Sequence, residues 1–151
     1  MNLYEAIAAE NGDLMRATRK LVDSTLTGPQ VREDLLAEIA ARLDAQEAVR
    51  ENHVYPILRL SAGRGDLVEQ YHARVSSLRG RIQELRDLPR DSNEPFQCLA
   101  EFLHDDIESM THWEDHEAMP AVRDVLTDDE AADLGEWVRA EQKTVLGKFQ
   151  V

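Results

Sequence analysis

Seven side chains hold most of the chemistry this sequence could perform: Asn11, Gln46, Arg50, His53, His72, Met110 and Glu114. Asn11 falls between Ile7 and Leu14. Gln46, Arg50 and His53 fall between Leu43 and Ile57, His72 between Val68 and Val75, and Glu114 one turn beyond Met110. Apolar residues at spacings of three and four surround each of them, so a helix turns these positions inward. A polar group there is costly unless it is hydrogen-bonded, and a charge unless it is paired. Arg50 and Glu114 are the natural partners, because a guanidinium and a carboxylate satisfy each other in two directions at once. The alternative is that Arg50 lines a pocket for an anion or another small ligand. His112 and His116, four apart beside Asp115, have a spacing that grips zinc or nickel, but the pair faces away from the expected core. Glu69-x2-His72 and Glu101-x2-His104 repeat the Glu-x2-His of carboxylate-bridged metal proteins. Glu69 and Glu101 lie off the core face, so both matches are read as coincidence. Cys98 has no His or basic group fixed beside it and is expected as a small packing residue. Trp113 and Trp137 are expected to pack between the fourth and fifth helices. There is no G-x-S-x-G elbow, phosphate loop or C-x2-C pair. No nucleophile stands beside an evident base, so no catalytic residue is assigned.

Long helices must position these groups. Prolines, glycines and caps divide the chain into helices over about 2–26, 29–60, 66–88 and 93–119, with a fifth beyond the capping box Thr127-Asp128-Asp129-Glu130. Thr27-Gly28-Pro29 ends the first helix and opens the second, Pro56 ends or kinks the second, and Pro120 follows the fourth. Ser92 or Asn93 caps the fourth helix. The stripes are Leu3, Ile7, Leu14, Thr18 and Leu21; Leu35, Ile39, Leu43, Ile57 and Leu60; Val68, Val75, Leu78, Ile82 and Leu85; and Leu99, Leu103, Ile107 and Met110. No window alternates apolar and polar residues for long, so no strand is expected. Short turns between long helices favour antiparallel neighbours. The reading is therefore all-α: one domain, residues 1–151, an up-down-up-down four-helix bundle with an additional C-terminal helix across one end. Asn11 and Gln46 stand at similar distances from the turn at Gly28, and His72 and Met110 at equal distances from Asp91. One polar layer thus crosses the bundle.

Composition bounds the partners. The 151 residues carry 30 acidic and 17 basic side chains, a net charge of −13, which repels phosphate backbones and anionic lipid heads. Neither nucleic acid nor a membrane surface is an expected partner. No apolar run reaches the length of a membrane span. The start, MNLYEAIAAENGD, lacks the basic and apolar regions of a signal peptide. A single cysteine excludes an internal disulfide framework and suits a reducing, cytoplasmic setting.

The second and fourth helices also repeat one another. Leu43-x2-Gln46-x3-Arg50-Glu51-x4-Pro56 parallels Ile107-x2-Met110-x3-Glu114-Asp115-x4-Pro120. This frame resembles the hemerythrin-like (HHE) domains. So do the endings Tyr55-Pro56 and Met119-Pro120, the segment Glu10-Asn11-Gly12-Asp13-Leu14 and the tail Pro120-Ala121-Val122-x3-Leu126-Thr127-x2-Glu130. The resemblance implies a di-iron site built from one His on the first helix, His-x3-Glu on the second, one His on the third and His-x3-Glu on the fourth. At those positions this chain has Asn11 for His, Gln46 for His, Arg50 for the bridging Glu and Met110 for His; His72 and Glu114 match. Gln, Asn and Met are weak ligands for such iron, and Arg50 adds a permanent charge where a bridge is needed. The expectation is a hemerythrin-like bundle that has lost its metals, binds no cofactor, and serves as a binding or regulatory module for an unidentified small molecule or protein. The alternative retains iron, di-iron or a single ion held by His72, Glu114 and a third ligand such as His53, in oxygen, nitric oxide or iron handling.

Overall fold

The computed structural model describes residues 1–24 and 28–147, the side chain of residue 146 excepted. Six α-helices account for most of them: α1 (Leu3–Asp23), α2 (Pro29–Val49), α3 (Gly65–Asp87), α4 (Asn93–Trp113), α5 (Met119–Arg123) and α6 (Asp128–Gly147). There is no strand among the described residues. α1 packs on α2 and α4, and α3 packs on the same two, which closes a four-helix ring around one apolar core. The expected end of the first helix at Leu26 and the Thr27 part of its turn lie outside the described residues.

Local chemistry sets the boundaries. Asn2 and Glu5 form a capping box at the start of α1, and Thr127 and Glu130 form another before α6, with bonds of 2.9 and 3.1 Å. Pro29 occupies the first turn of α2, where its missing N–H is no loss. Gly63, at φ +64°, turns the chain from α2 into α3. Ser92 caps α4 by position, without a side-chain hydrogen bond.

Neither Pro56 nor Pro120 ends its helix. α2 continues through π-helical turns at Arg50–Val54 and Ile57–Ser61, and α4 continues through one at Glu114–Ala118 into α5. The Tyr55 amide donates to the Arg50 carbonyl and the Met119 amide to the Glu114 carbonyl, immediately before each proline. The wider turn relieves the clash a proline ring makes with the preceding turn. It also inserts one residue into the helical count. Past Arg50 the buried face therefore passes to Val54, Tyr55 and Leu58, while Leu60, expected in the core, is 84% exposed. Near the start of α2, Leu36 is buried in place of the half-buried Leu35.

α6 corrects a second expectation. It does not cross the end of the bundle but lies against α1 and α2, parallel to α1: Gly135 meets Met1 and Asn2, and Gln142 meets Ala6 and Glu10. Trp137 is 70% exposed on α6, not packed against α4. Trp113 is buried against α3 instead, edge-on to Tyr71 and hydrogen-bonded to Gln70. Cys98 is exposed.

Candidate functional site

α1, α2, α3, α4 and α6 each send a polar side chain to one place inside the bundle. Arg50, at the C-terminal cap of α2, is only 1% exposed, and all five of its N–H groups are used. Its Nε donates to Glu114 Oε2 (2.6 Å) and its Nη2 to Glu114 Oε1 (2.8 Å), a two-pronged grip on one carboxylate. Nη2 also donates to Asn11 Oδ1 (3.1 Å), and Nη1 to Glu10 Oε1 (2.5 Å) and the Gln46 carbonyl (3.1 Å). Glu114 is equally saturated, accepting further bonds from Asn11 Nδ2 (2.7 Å) and the Tyr71 hydroxyl (2.6 Å). Glu10 accepts from Gln142 Nε2 (2.8 Å) through its other oxygen, and the Gln46 amide donates to the Glu10 carbonyl (3.2 Å). One guanidinium thus holds two carboxylates.

The electrostatics follow from this geometry. Burial penalises charge on Glu114, but the Arg50 charge and the bonds from Arg50, Asn11 and Tyr71 outweigh it and hold the carboxyl below its ordinary range. Burial likewise opposes charge on Arg50, and the two glutamates overcome it, raising its pKa further. Burial, then the Glu114 charge, pushes the Tyr71 phenol well above its usual value, so it stays a neutral donor. Two of the three π turns begin at a member of the ion pair, one at Arg50 and one at Glu114; the third begins at Ile57. Such turns occur often at functional sites.

Of the residues singled out from sequence, the structure brings together Asn11, Gln46, Arg50 and Glu114. It leaves out three. His72 is exposed, its ring perpendicular to that of Tyr55, because Tyr71 takes the inward place on α3 and continues the buried series from Val68 to Val75. His53 lies on the outer side of α2, with its Nε2 2.5 Å from Glu141 Oε2 on α6. Met110 is buried among apolar neighbours. The single-ion set of His72, Glu114 and His53 is therefore not assembled. Among the described residues no cluster of three or more His, Cys, Asp or Glu is placed to hold a metal ion.

Sequence reasoning missed Glu10, Tyr71 and Gln142. Glu10 and Tyr71 each stand beside the residue that was chosen, Asn11 and His72, and Gln142 stands four beyond the buried Val138, which was the available signal. His104, noted in sequence only within the coincidental Glu101-x2-His104 match, has a structural role of its own. It is buried and bonded to α1, with Nδ1 2.8 Å from Thr18 Oγ1 and Nε2 3.2 Å from Arg19 Nη2. Thr18 gives its proton to the Met15 carbonyl, so His104 Nδ1–H donates to Thr18 and its Nε2 accepts from Arg19.

A groove of about 410 Å³ between α1 and α4 reaches Asn11 and Glu114 from the surface, walled by Tyr4, Met15, His112 and Met119. Inside it His112 and His116 stack at 4.0 Å, and His116 Nδ1 is spent on the His112 carbonyl.

Comparison with known proteins yields three findings. Residues 2–122 match the family model described as the hemerythrin HHE cation binding domain. The fold is similar to the crystal structure of a hemerythrin HHE cation binding domain-containing protein from Mycobacterium kansasii. The TM-score is 0.83 at 22% identity, over 98% of this chain and 89% of that one. No curated protein matches.

Proposed function

Since this chain belongs to the hemerythrin HHE cation-binding family, we propose that it is a member in which an arginine has taken the place of the metals, and that it acts as a binding or regulatory module. The observation that carries this reading is the mutual saturation of Arg50 and Glu114. Every Arg50 N–H and both Glu114 oxygens are engaged within the protein. The donor set does not fit a di-iron centre: a fixed cation occupies the middle, and Asn11, Gln46 and Met110 supply no strong iron ligand around it. On α3 the inward position belongs to Tyr71, whose proton is committed to Glu114. The groove that reaches Asn11 and Glu114 offers a small polar molecule a way to the network.

Elemental analysis with a visible absorption spectrum tests the reading, on protein expressed in iron-replete medium and kept free of chelator. Folded, cooperatively melting protein without iron is the expected outcome. Iron at about one equivalent or more, with oxo-bridge or carboxylate charge-transfer bands, overturns it. The positional mapping has its own test. Asn11→His, Gln46→His, Arg50→Glu, Tyr71→His and Met110→His together should give a folded protein that takes up iron. A folded variant that takes up none would break the mapping.

A further inference from the structure

Arginines gather at the end of the bundle where α2 and α4 begin and α3 finishes. Arg32, Arg86 and Arg90 line a cavity of about 340 Å³ whose floor is apolar, formed by Leu36, Leu85 and Phe96. Arg32 is only 6% exposed, stacks over the Phe96 ring at 4.7 Å and donates to Asn93 Oδ1 at 2.9 Å. Arg90 pairs with Glu33, the one acidic residue in the lining, at 2.8 Å. Among the described residues Arg86 has no carboxylate in ion-pair range, although the chain has 30 acidic side chains to offer. Roughly 27 Å of helix separates Arg32 from Arg50 at the α-helical rise, so this cavity is independent of the buried network.

We propose that this cavity binds a small organic carboxylate with an apolar body. The floor removes hydrocarbon from water, and the exposed Arg86 and Arg90 meet the carboxylate at the mouth, where a guanidinium donates to both its oxygens in two-pronged geometry. The volume lies at the small end of the range for ligand pockets, about 300–1,000 Å³. That size and the net charge of −13 disfavour polyanions, whose further charges would face the acidic remainder of the surface.

Decanoate, decanol and decyltrimethylammonium serve as matched probes, followed by calorimetry and by amide shifts in NMR. Decanoate is expected to bind saturably at one equivalent, with shifts centred on Leu36, Leu85 and Phe96. Decanol should bind about tenfold more weakly or worse, and the cation should not bind. Arg86→Ala, at an exposed position, should weaken decanoate about five- to tenfold with the melting temperature of the free protein unchanged. The proposal is overturned if decanoate does not saturate, if decanol matches it, if the shifts map to the Asn11–Glu114 groove, or if Arg86→Ala binds as tightly as the wild type.

Discussion

The residue scale is where two similar side chains part company. Tyr71 and Tyr55 are both fully buried, with rings 5.2 Å apart. The Tyr71 hydroxyl donates to Glu114, whereas among the described residues the Tyr55 hydroxyl has no hydrogen-bond partner. Tyr71→Phe removes a bond to a buried charge and should cost about 1.5–3 kcal/mol, while Tyr55→Phe removes a polar group with nothing to lose and should be neutral or stabilising. Urea denaturation of the two variants checks the contrast. Arg50→Met strands two buried carboxylates, Glu10 and Glu114, and should cost about 3–5 kcal/mol. Adding Glu114→Leu should cost much less than its single effect, because the charge it removes is then unpaired. Additive losses in that cycle would show that the pair is not coupled. The ion pair was legible in sequence because Arg50 and Glu114 interrupt apolar stripes at matching places on the second and fourth helices. Glu10 was not, because its neighbour Asn11 also faces inward, and a helical face is wide enough for both.

At the scale of elements, glycines show which contacts the packing demands. A Cβ on Gly135 would lie 2.2 Å from the Met1 carbonyl oxygen and 2.4 Å from the Asn2 carbonyl carbon, so α6 can lie this close to the N-terminus only with glycine there. Gly135→Ala should therefore push α6 from α1 and cost about 1–3 kcal/mol. Gly80 on α3 has open space around it, and Gly80→Ala should stabilise by about 0.5–1 kcal/mol through helix propensity alone. Thermal melts of the two variants should move in opposite directions. The helices themselves were readable from stripes and caps. The π turns were not, since they depend on backbone bonds that periodicity does not encode. They account for the misplacement of Leu60 and for the continuation of the fourth helix past Pro120.

For the whole molecule the network predicts a pH profile. The native Glu114 pKa is depressed, so its contribution is present above the ordinary carboxylate value of about 4.3 and is lost as pH falls through the native one. The native Tyr71 pKa is raised, so its contribution is present below about pH 10 and is lost as pH rises beyond the unfolded value. Arg50 remains charged throughout. Stability should be level between these limits and fall on both sides. Glu114→Gln should make the acid limb shallower while lowering the plateau. Unfolding free energies from urea titrations between about pH 3 and 12 check both limbs. A wild-type acid limb unchanged by Glu114→Gln would mean that other carboxylates govern acid unfolding.

Apolar periodicity alone determined the all-helical class and the order of the long helices, because burying a stripe every three or four residues leaves a helix little choice but to pack. The frame shared by the second and fourth helices carried the family, since those positions keep their spacing when the side chains change. Tertiary structure decided which of two adjacent residues turns inward: Tyr71 over His72, and Glu10 together with Asn11. It also carried α6 alongside α1 and brought Gln142 to Glu10. A one-residue difference is about 100° of rotation on a helix, and only the packing of all its neighbours fixes a rotation that fine.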